Sequence, residues 1–135
     1  MKINMSTEWL KASKLDLESI RYIVEVEYLT SVVAFHAQQS IEKSFKAIIE
    51  YKNKKIPKQH DLLKLKILIK DVLDIHDDDI LDTLNNLYID SRYPGDLGLL
   101  PYGKPTISDA KEFYVFASDI FERACILLNI ELGSE

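Results

Sequence analysis

Glycine and proline, the residues that most often interrupt helices, are concentrated in one segment of this 135-residue chain. Three of the four glycines and three of the four prolines lie within residues 91–106, which read SRYPGDLGLLPYGKPT. The segments on either side contain almost none of them, which predicts long helices flanking one extended loop. Because long loops in compact domains are uncommon and more often functional, we expect part of any site here.

Outside this segment, apolar residues recur at intervals of three and four positions, which is the spacing of an α-helix. The pattern predicts helices over roughly residues 7–27, 30–52 and 106–130, and two shorter helices between residues 60 and 93. Ser6 or Thr7 suits the first N-cap position. The connections among the first four helices are short, so the sequence predicts an all-α, up-and-down helical bundle of four to five helices.

The expected core consists of the apolar stripes of these helices. Its members are Trp9, Leu10, Ser13, Leu17, Ile20, Val24, Val33, Ala37, Ile41, Phe45, Ile48, Leu62, Leu65, Ile69, Val72, Ile80, Leu84, Leu87, Tyr88, Phe113, Phe116, Ala117, Ile120, Ala124 and Leu127, with Tyr114, Phe121, Cys125 and Leu128 widening the last stripe. The last helix is apolar around most of its circumference, which indicates either a central position or an interface in an oligomer.

Composition limits the classes of protein that this chain can represent. Its length predicts a single domain over residues 1–135 with a substantial core. The net charge of -5 counts against a general nucleic-acid coat or a membrane-surface protein. The single cysteine, Cys125, cannot form an internal disulfide and favours a reducing compartment. No apolar segment is long enough to cross a bilayer, so we expect a cytoplasmic protein.

Four polar residues of the second predicted helix share one side of it. His36, Gln39, Lys43 and Lys46 follow one another at steps of three, four and three. Two ammonium groups, an amide and an imidazole suit a phosphate or an RNA backbone. The same residues also suit a solvated helix face on which Lys46 pairs with Glu42 at i,i+4.

Further polar residues stand near the ends of the predicted helices. His60 and Asp61 open the third helix, where they suit acid–base chemistry or, more simply, capping and packing. Arg92 ends the fourth, where a cation complements the helix dipole. Its planar guanidinium also suits a phosphate, and Tyr93 offers a ring for stacking. Four lysines within residues 52–58 suit either a phosphate or a solvated turn.

The sequence contains no familiar metal or cofactor motif. The acidic stretch at residues 74–79 lacks the glycine and the glutamate of a calcium loop, and carboxylates near a helix N-terminus need no metal to explain them. Phosphate-binding glycine loops, paired-cysteine motifs and hydrolase nucleophile motifs are also missing. We therefore expect neither a metal nor a bound cofactor.

Taken in order along the chain, these motifs resemble the HEPN domain family (higher eukaryote and prokaryote nucleotide-binding). The resemblance rests on WLKA at residues 9–12, FHAQQSIEKSFKA at residues 35–47, HDL at residues 60–62 and SRYP at residues 91–94. It covers roughly residues 7–130. It implies a bundle of four to five helices that forms a homodimer, with a nucleotide or RNA as the ligand.

The resemblance also implies a partner and a set of binding residues. Many members of the family are encoded beside a minimal nucleotidyltransferase, in arrangements that resemble toxin–antitoxin pairs. By position, the resemblance assigns nucleotide or phosphate binding to six residues of this chain. They are Gln39, Lys43, Lys46, His60, Arg92 and Tyr93.

One branch of the family cleaves RNA without a metal, using an arginine and a histidine with four to six residues between them. After Arg92, the positions for that histidine are residues 97–99, which read LGL. The sequence therefore favours binding over cleavage, and no catalytic residue is assigned. Two alternatives stay open. One is an RNase in which His36 or His60 replaces the missing base. The other is a non-catalytic module that binds a partner through its last helix.

Overall fold

The computed structural model describes residues 4–91 and 103–132, with the backbone alone for residues 90 and 91, and it is helical. The helices are α1 (Met5–Ile23), α2 (Thr30–Tyr51), α3 (Leu62–Leu68), α4 (Asp78–Ser91) and α5 (Ile107–Leu128), and a short 3-10 helix, Glu27–Leu29, precedes α2. No strand occurs in the described part of the chain. The prediction of an all-α helical bundle is confirmed.

The start of α1 differs from the predicted one, because a different residue caps it. The side chain of Asn4 accepts a hydrogen bond from the Thr7 amide at 3.3 Å, so the helix begins at Met5 rather than near Thr7. The expected cap, Ser6, is buried, and its hydroxyl donates to the Ala47 carbonyl on α2 at 2.9 Å. The hydroxyl therefore joins two helices instead of ending one.

Two other helix starts follow their predicted chemistry. Asp61 caps α3 by accepting from the amides of Leu63 and Lys64, at 2.9 and 3.4 Å. Thr106 caps α5 in a reciprocal box with Asp109. However, α3 ends at Leu68, before the end of its apolar pattern, and Val72, which was expected in the core, is 39% exposed.

The central helix of the bundle is α2. It packs against α1, α3, α4 and α5, and Ile41, Phe45 and Ile48 on it are fully buried. By contrast, the main contacts of α5 in the described part of the chain are with α1 and α2. Val115 and Ile126 on α5 are exposed. Because α2 has neighbours on most of its sides, many of its polar residues also face protein rather than water.

Three buried serines lie where α1 crosses α2. The Ser13 hydroxyl donates to the Ser40 carbonyl at 2.8 Å, and it lies 2.8 Å from the Ser40 hydroxyl and 3.0 Å from that of Ser44. Small side chains at these positions let the two helices approach closely, and the hydroxyls satisfy one another in the absence of water.

Cys125 on α5 is partly buried. Burial raises the pKa of its thiol, since the charged thiolate is disfavoured away from water. None of the helices in the described ranges is both long and apolar enough to span a bilayer.

Candidate functional site

A buried carboxylate on α2 organises the polar interior of the protein. Glu42 is only 6% exposed, and its Oε2 accepts from the Lys46 ammonium at 2.9 Å. Lys46 is 7% exposed and lies 5.6 Å from the centre of the Trp9 ring on α1. The predicted pairing of Lys46 with Glu42 is therefore present, but it lies inside the protein rather than on a solvated face.

The second oxygen of Glu42 is shared by three donors. The His60 Nδ1 lies 3.0 Å from Oε1, and the side-chain amides of Gln38 and Gln39 donate to it at 3.3 and 3.4 Å. Gln39 also donates to the Gln38 side-chain oxygen at 2.7 Å. Every buried side-chain nitrogen and oxygen in the described part of the chain has a hydrogen-bond partner. The four side chains around Glu42 thus form a satisfied network.

His60 is fixed at two points by this network. Its ring is bonded to Glu42, and its backbone carbonyl accepts from the Gln38 amide at 2.8 Å. A carboxylate accepts hydrogen bonds, so Nδ1 donates to Glu42, and the tautomer with its proton on Nδ1 leaves Nε2 as an acceptor. The side chain is nevertheless 53% exposed. The protein therefore presents an oriented imidazole whose second nitrogen is available to a ligand.

The ring of Tyr88 on α4 lies beside His60. The two ring centres are 5.6 Å apart with a 40° tilt. The Phe35 ring stacks on the Tyr88 ring, with its centre 5.7 Å away. Asn85, one turn earlier on α4, accepts from the Leu62 amide at 2.9 Å and donates to Asp61 at 2.8 Å. Asn85 thereby fixes the start of α3 against α4.

These elements enclose a cavity of about 380 Å³ between the start of α3 and the face of α4. Among the described residues, its lining combines one aromatic ring, one imidazole, amide side chains, two carboxylates and one ammonium group. The residues are Lys58, Gln59, His60, Asp61, Leu63, Asp82, Asn85, Asn86, Tyr88 and Ile89. Rings and amide groups in one concave site suit a flat, polar ligand.

The polar stripe predicted on the second helix is divided between two carboxylates. His36 Nδ1 and Lys43 Nζ each lie 2.8 Å from an oxygen of Asp16 on α1, whereas Gln39 and Lys46 face Glu42. The interpretation of this stripe as a solvated helix face is wrong, because Lys46 is buried and Lys43 is only 24% exposed. Both ammonium groups are already paired with carboxylates of the protein.

The remaining predicted site residues fall into two groups. His60 lies at the cavity between α3 and α4. Arg92 and Tyr93, with most of the predicted loop, lie outside the described residues, although Arg92 follows Tyr88 by four positions in the sequence. Sequence reasoning did not assign Tyr88 or Asn85 to a site. Their spacing of three on the fourth helix, which ends at the SRYP motif, was an available signal.

Among the described residues, no group of three or more histidine, cysteine, aspartate or glutamate side chains has an arrangement that suits a metal ion. Two of the acidic residues in the stretch 74–79, Asp74 and Asp78, are instead involved in single ion pairs. Asp78, for example, pairs with Lys66 on α3 at 2.5 Å. The site between α3 and α4 is thus built from rings, amides and isolated charges.

Comparison with known proteins identifies the family. A model of the HEPN domain matches residues 6–127, which is most of the chain. No curated protein and no solved structure matches it at a significant level. The matched region contains α1 to α4 and nearly all of α5, including the cavity and the Glu42 network. This chain belongs to the HEPN domain family.

Proposed function

We propose that this HEPN protein binds a nucleotide or a similar phosphorylated ligand in the cavity between α3 and α4. The observation that carries the proposal is the pair formed by the oriented His60 imidazole and the Tyr88 ring at that cavity. Aromatic faces bind nucleobases by stacking, and Asn86 and Asp82 offer hydrogen bonds to base or sugar edges. The cavity volume of about 380 Å³ lies within the usual range for small ligands.

The charges for the phosphate differ from those that the sequence suggested. Lys43 and Lys46 are engaged by Asp16 and Glu42, so they hold the site together rather than contact the ligand. Lys58 lines the cavity, and Arg92 follows the helix that forms its wall. We assign the phosphate contacts to these two residues.

We further propose that the protein acts as a homodimer beside a minimal nucleotidyltransferase, in a module resembling a toxin–antitoxin pair.

Nucleotide titration followed by thermal unfolding tests this proposal. A nucleotide at about 100 times its dissociation constant should stabilise the protein by about 2.7 kcal/mol. Tyr88→Ala should weaken binding by about five- to 150-fold, since stacking on one aromatic ring contributes about 1–3 kcal/mol. Tyr28→Ala is the matched control, because Tyr28 is highly exposed and does not line the cavity. The absence of any shift with ATP, GTP, CTP or UTP at millimolar concentration would refute nucleotide binding.

A second candidate function is metal-independent RNA cleavage, and one observation favours it. Glu42 holds the Nδ1 proton of His60, so Nε2 is an acceptor directed away from the carboxylate, as a general base requires. His36 is bonded to Asp16 through Nδ1 in the same way, but it is less suited because its side chain is only 25% exposed, against 53% for His60. His60 is therefore the better replacement for the missing histidine.

Incubation of a labelled single-stranded RNA with wild-type protein, His60→Ala and Arg92→Ala distinguishes cleavage from binding. If His60 is the base, His60→Ala should lose cleavage by about 100-fold or more, since a positioned base contributes at least that factor. Arg92→Ala should also lose cleavage, because it removes the cation that would stabilise the charge on the phosphate. His76→Ala, which changes an imidazole that is almost fully exposed, should leave the rate unchanged. Equal background cleavage by all four proteins would exclude this function while leaving nucleotide binding untouched.

A further inference from the structure

The positive charge of the protein is concentrated in one short segment. Residues 52–70 contain seven lysines and a single acidic residue, Asp61. The chain as a whole has a net charge of -5, so the rest of it is strongly acidic. Within an acidic protein, a local positive field of this kind attracts an anionic partner to one place on the surface.

The lysines of this segment also differ from the others in their contacts. Among residues 4–91 and 103–132, each lysine or arginine outside residues 52–70 has a hydrogen-bond or ion-pair partner or another recorded contact. Four lysines of the segment are exposed and have no such partner in the same part of the chain, namely Lys55, Lys58, Lys64 and Lys70. Lys54 is also exposed and interacts through its charge with Asp71. The charges of the four unpaired lysines remain available to a molecule from outside.

A groove lies beside these lysines, between the end of α2 and the end of α3. It has a volume of about 550 Å³ and is lined by Lys52, Lys54, Ile67, Leu68, Lys70 and Asp71; we call it the α3 groove. Lys52 donates to the Leu68 carbonyl at 3.3 Å and pairs with Asp71, which fixes one wall. The hydrogen bond from Lys52 lowers the pKa of Asp71.

Apolar side chains are exposed at the same place. Ile67 is 69% exposed and Leu68 is 40% exposed, and Lys64 lies one turn before them on the same exposed side of α3. Tyr51, at the end of α2, is also mostly exposed. Exposed aliphatic side chains surrounded by unpaired lysines are complementary to a surface that combines apolar and acidic residues.

We propose that the α3 groove docks an acidic, apolar segment of a partner protein, such as an amphipathic helix that carries leucines between glutamates. Ile67 and Leu68 would pack against its apolar side chains, and Lys54 and Lys70 would face its carboxylates. An extended RNA strand fits less well, because none of the described residues that line the groove carries an aromatic ring on which bases could stack.

Fluorescence anisotropy with a defined peptide tests the proposal on the full chain. The probe is a labelled helical peptide with leucines at i, i+3, i+4 and i+7 and glutamates elsewhere. The control peptide has the same composition with leucines and glutamates alternating. We expect saturable binding of the first peptide only. Ile67→Ser should weaken it by about tenfold or more, and Lys54→Gln with Lys70→Gln by about two- to fivefold.

Two control variants test whether the peptide binds at the α3 groove and not elsewhere on the protein. Ile126→Ser changes an equally exposed isoleucine on α5, and Lys11→Gln changes a lysine on α1, so neither should alter binding. No binding at about 1 mM peptide would overturn the proposal. Tighter binding of a single-stranded oligouridylate that Ile67→Ser leaves unchanged would overturn it in favour of RNA. A dimer by light scattering that Ile67→Ser dissociates would overturn it in favour of a second copy of the chain.

Discussion

Lys46→Met is expected to lower the free energy of unfolding by about 3–5 kcal/mol, measured by urea denaturation at neutral pH. The ammonium of Lys46 is the only cation within hydrogen-bond distance of Glu42 Oε2 among the described residues. Both side chains are almost completely buried. Methionine keeps the apolar stem near Trp9 but leaves a buried carboxylate whose charge is no longer compensated.

The double variant Glu42→Gln with Lys46→Met should recover most of this loss, because a neutral amide can still accept from Gln38 and Gln39. Lys11→Met provides the exposed comparison. Lys11 pairs with Glu8 at 3.6 Å on the surface of α1, and its removal should cost less than about 1 kcal/mol. Equal losses for Lys46→Met and Lys11→Met would mean that Glu42 does not depend on its partner.

Ser13→Leu is expected to destabilise the protein by about 2–6 kcal/mol. Leucine would force extra methyl groups between α1 and α2, at a cost of about 1–3 kcal/mol. It would also remove the hydroxyl that bonds to Ser40 and Ser44, which adds about 1–3 kcal/mol if their buried groups lose a partner. The midpoint of thermal unfolding and the urea transition both measure this loss.

Two variants separate the volume of the leucine from the loss of the hydroxyl. Ser13→Ala removes only the hydroxyl and should cost about 1 kcal/mol, since the remaining serines can bond to each other or to their own helix. Ser19→Leu places the same side chain at an exposed position of α1 and should change stability by less than about 0.5 kcal/mol. A similar loss for Ser13→Ala and Ser13→Leu would contradict close packing of the two helices.

The positions of the helices along the chain were largely predictable, because they depend on local sequence patterns. The bounds of α2 agree with the prediction to within one residue, since the apolar period stops where the lysine-rich turn and Pro57 begin. The start of α1 was predicted incorrectly because Asn4, Ser6 and Thr7 are all good caps. Only the contact of Ser6 with α2 decides among them.

The polar interior was less predictable, because a charged residue at helical spacing is usually solvated. The sequence placed His36, Lys43 and Lys46 on one side of α2, but it did not show that Asp16 on α1 lies opposite two of them. His60 was identified from its sequence motif. Its environment was not, since Glu42 and Tyr88 approach it only after three helices have packed. Arg92 and Tyr93 stay predictions.

The burial of the α2 charges separates this protein into two electrostatic regions that respond differently to ionic strength. Added salt screens charges that face water, but it acts weakly on pairs such as Lys46 and Glu42 that have no access to mobile ions. The unpaired lysines around the α3 groove are exposed and respond fully. The contribution of the internal network to stability should therefore change little from dilute buffer to molar salt. Any anionic partner held by those lysines should be released as the salt concentration rises.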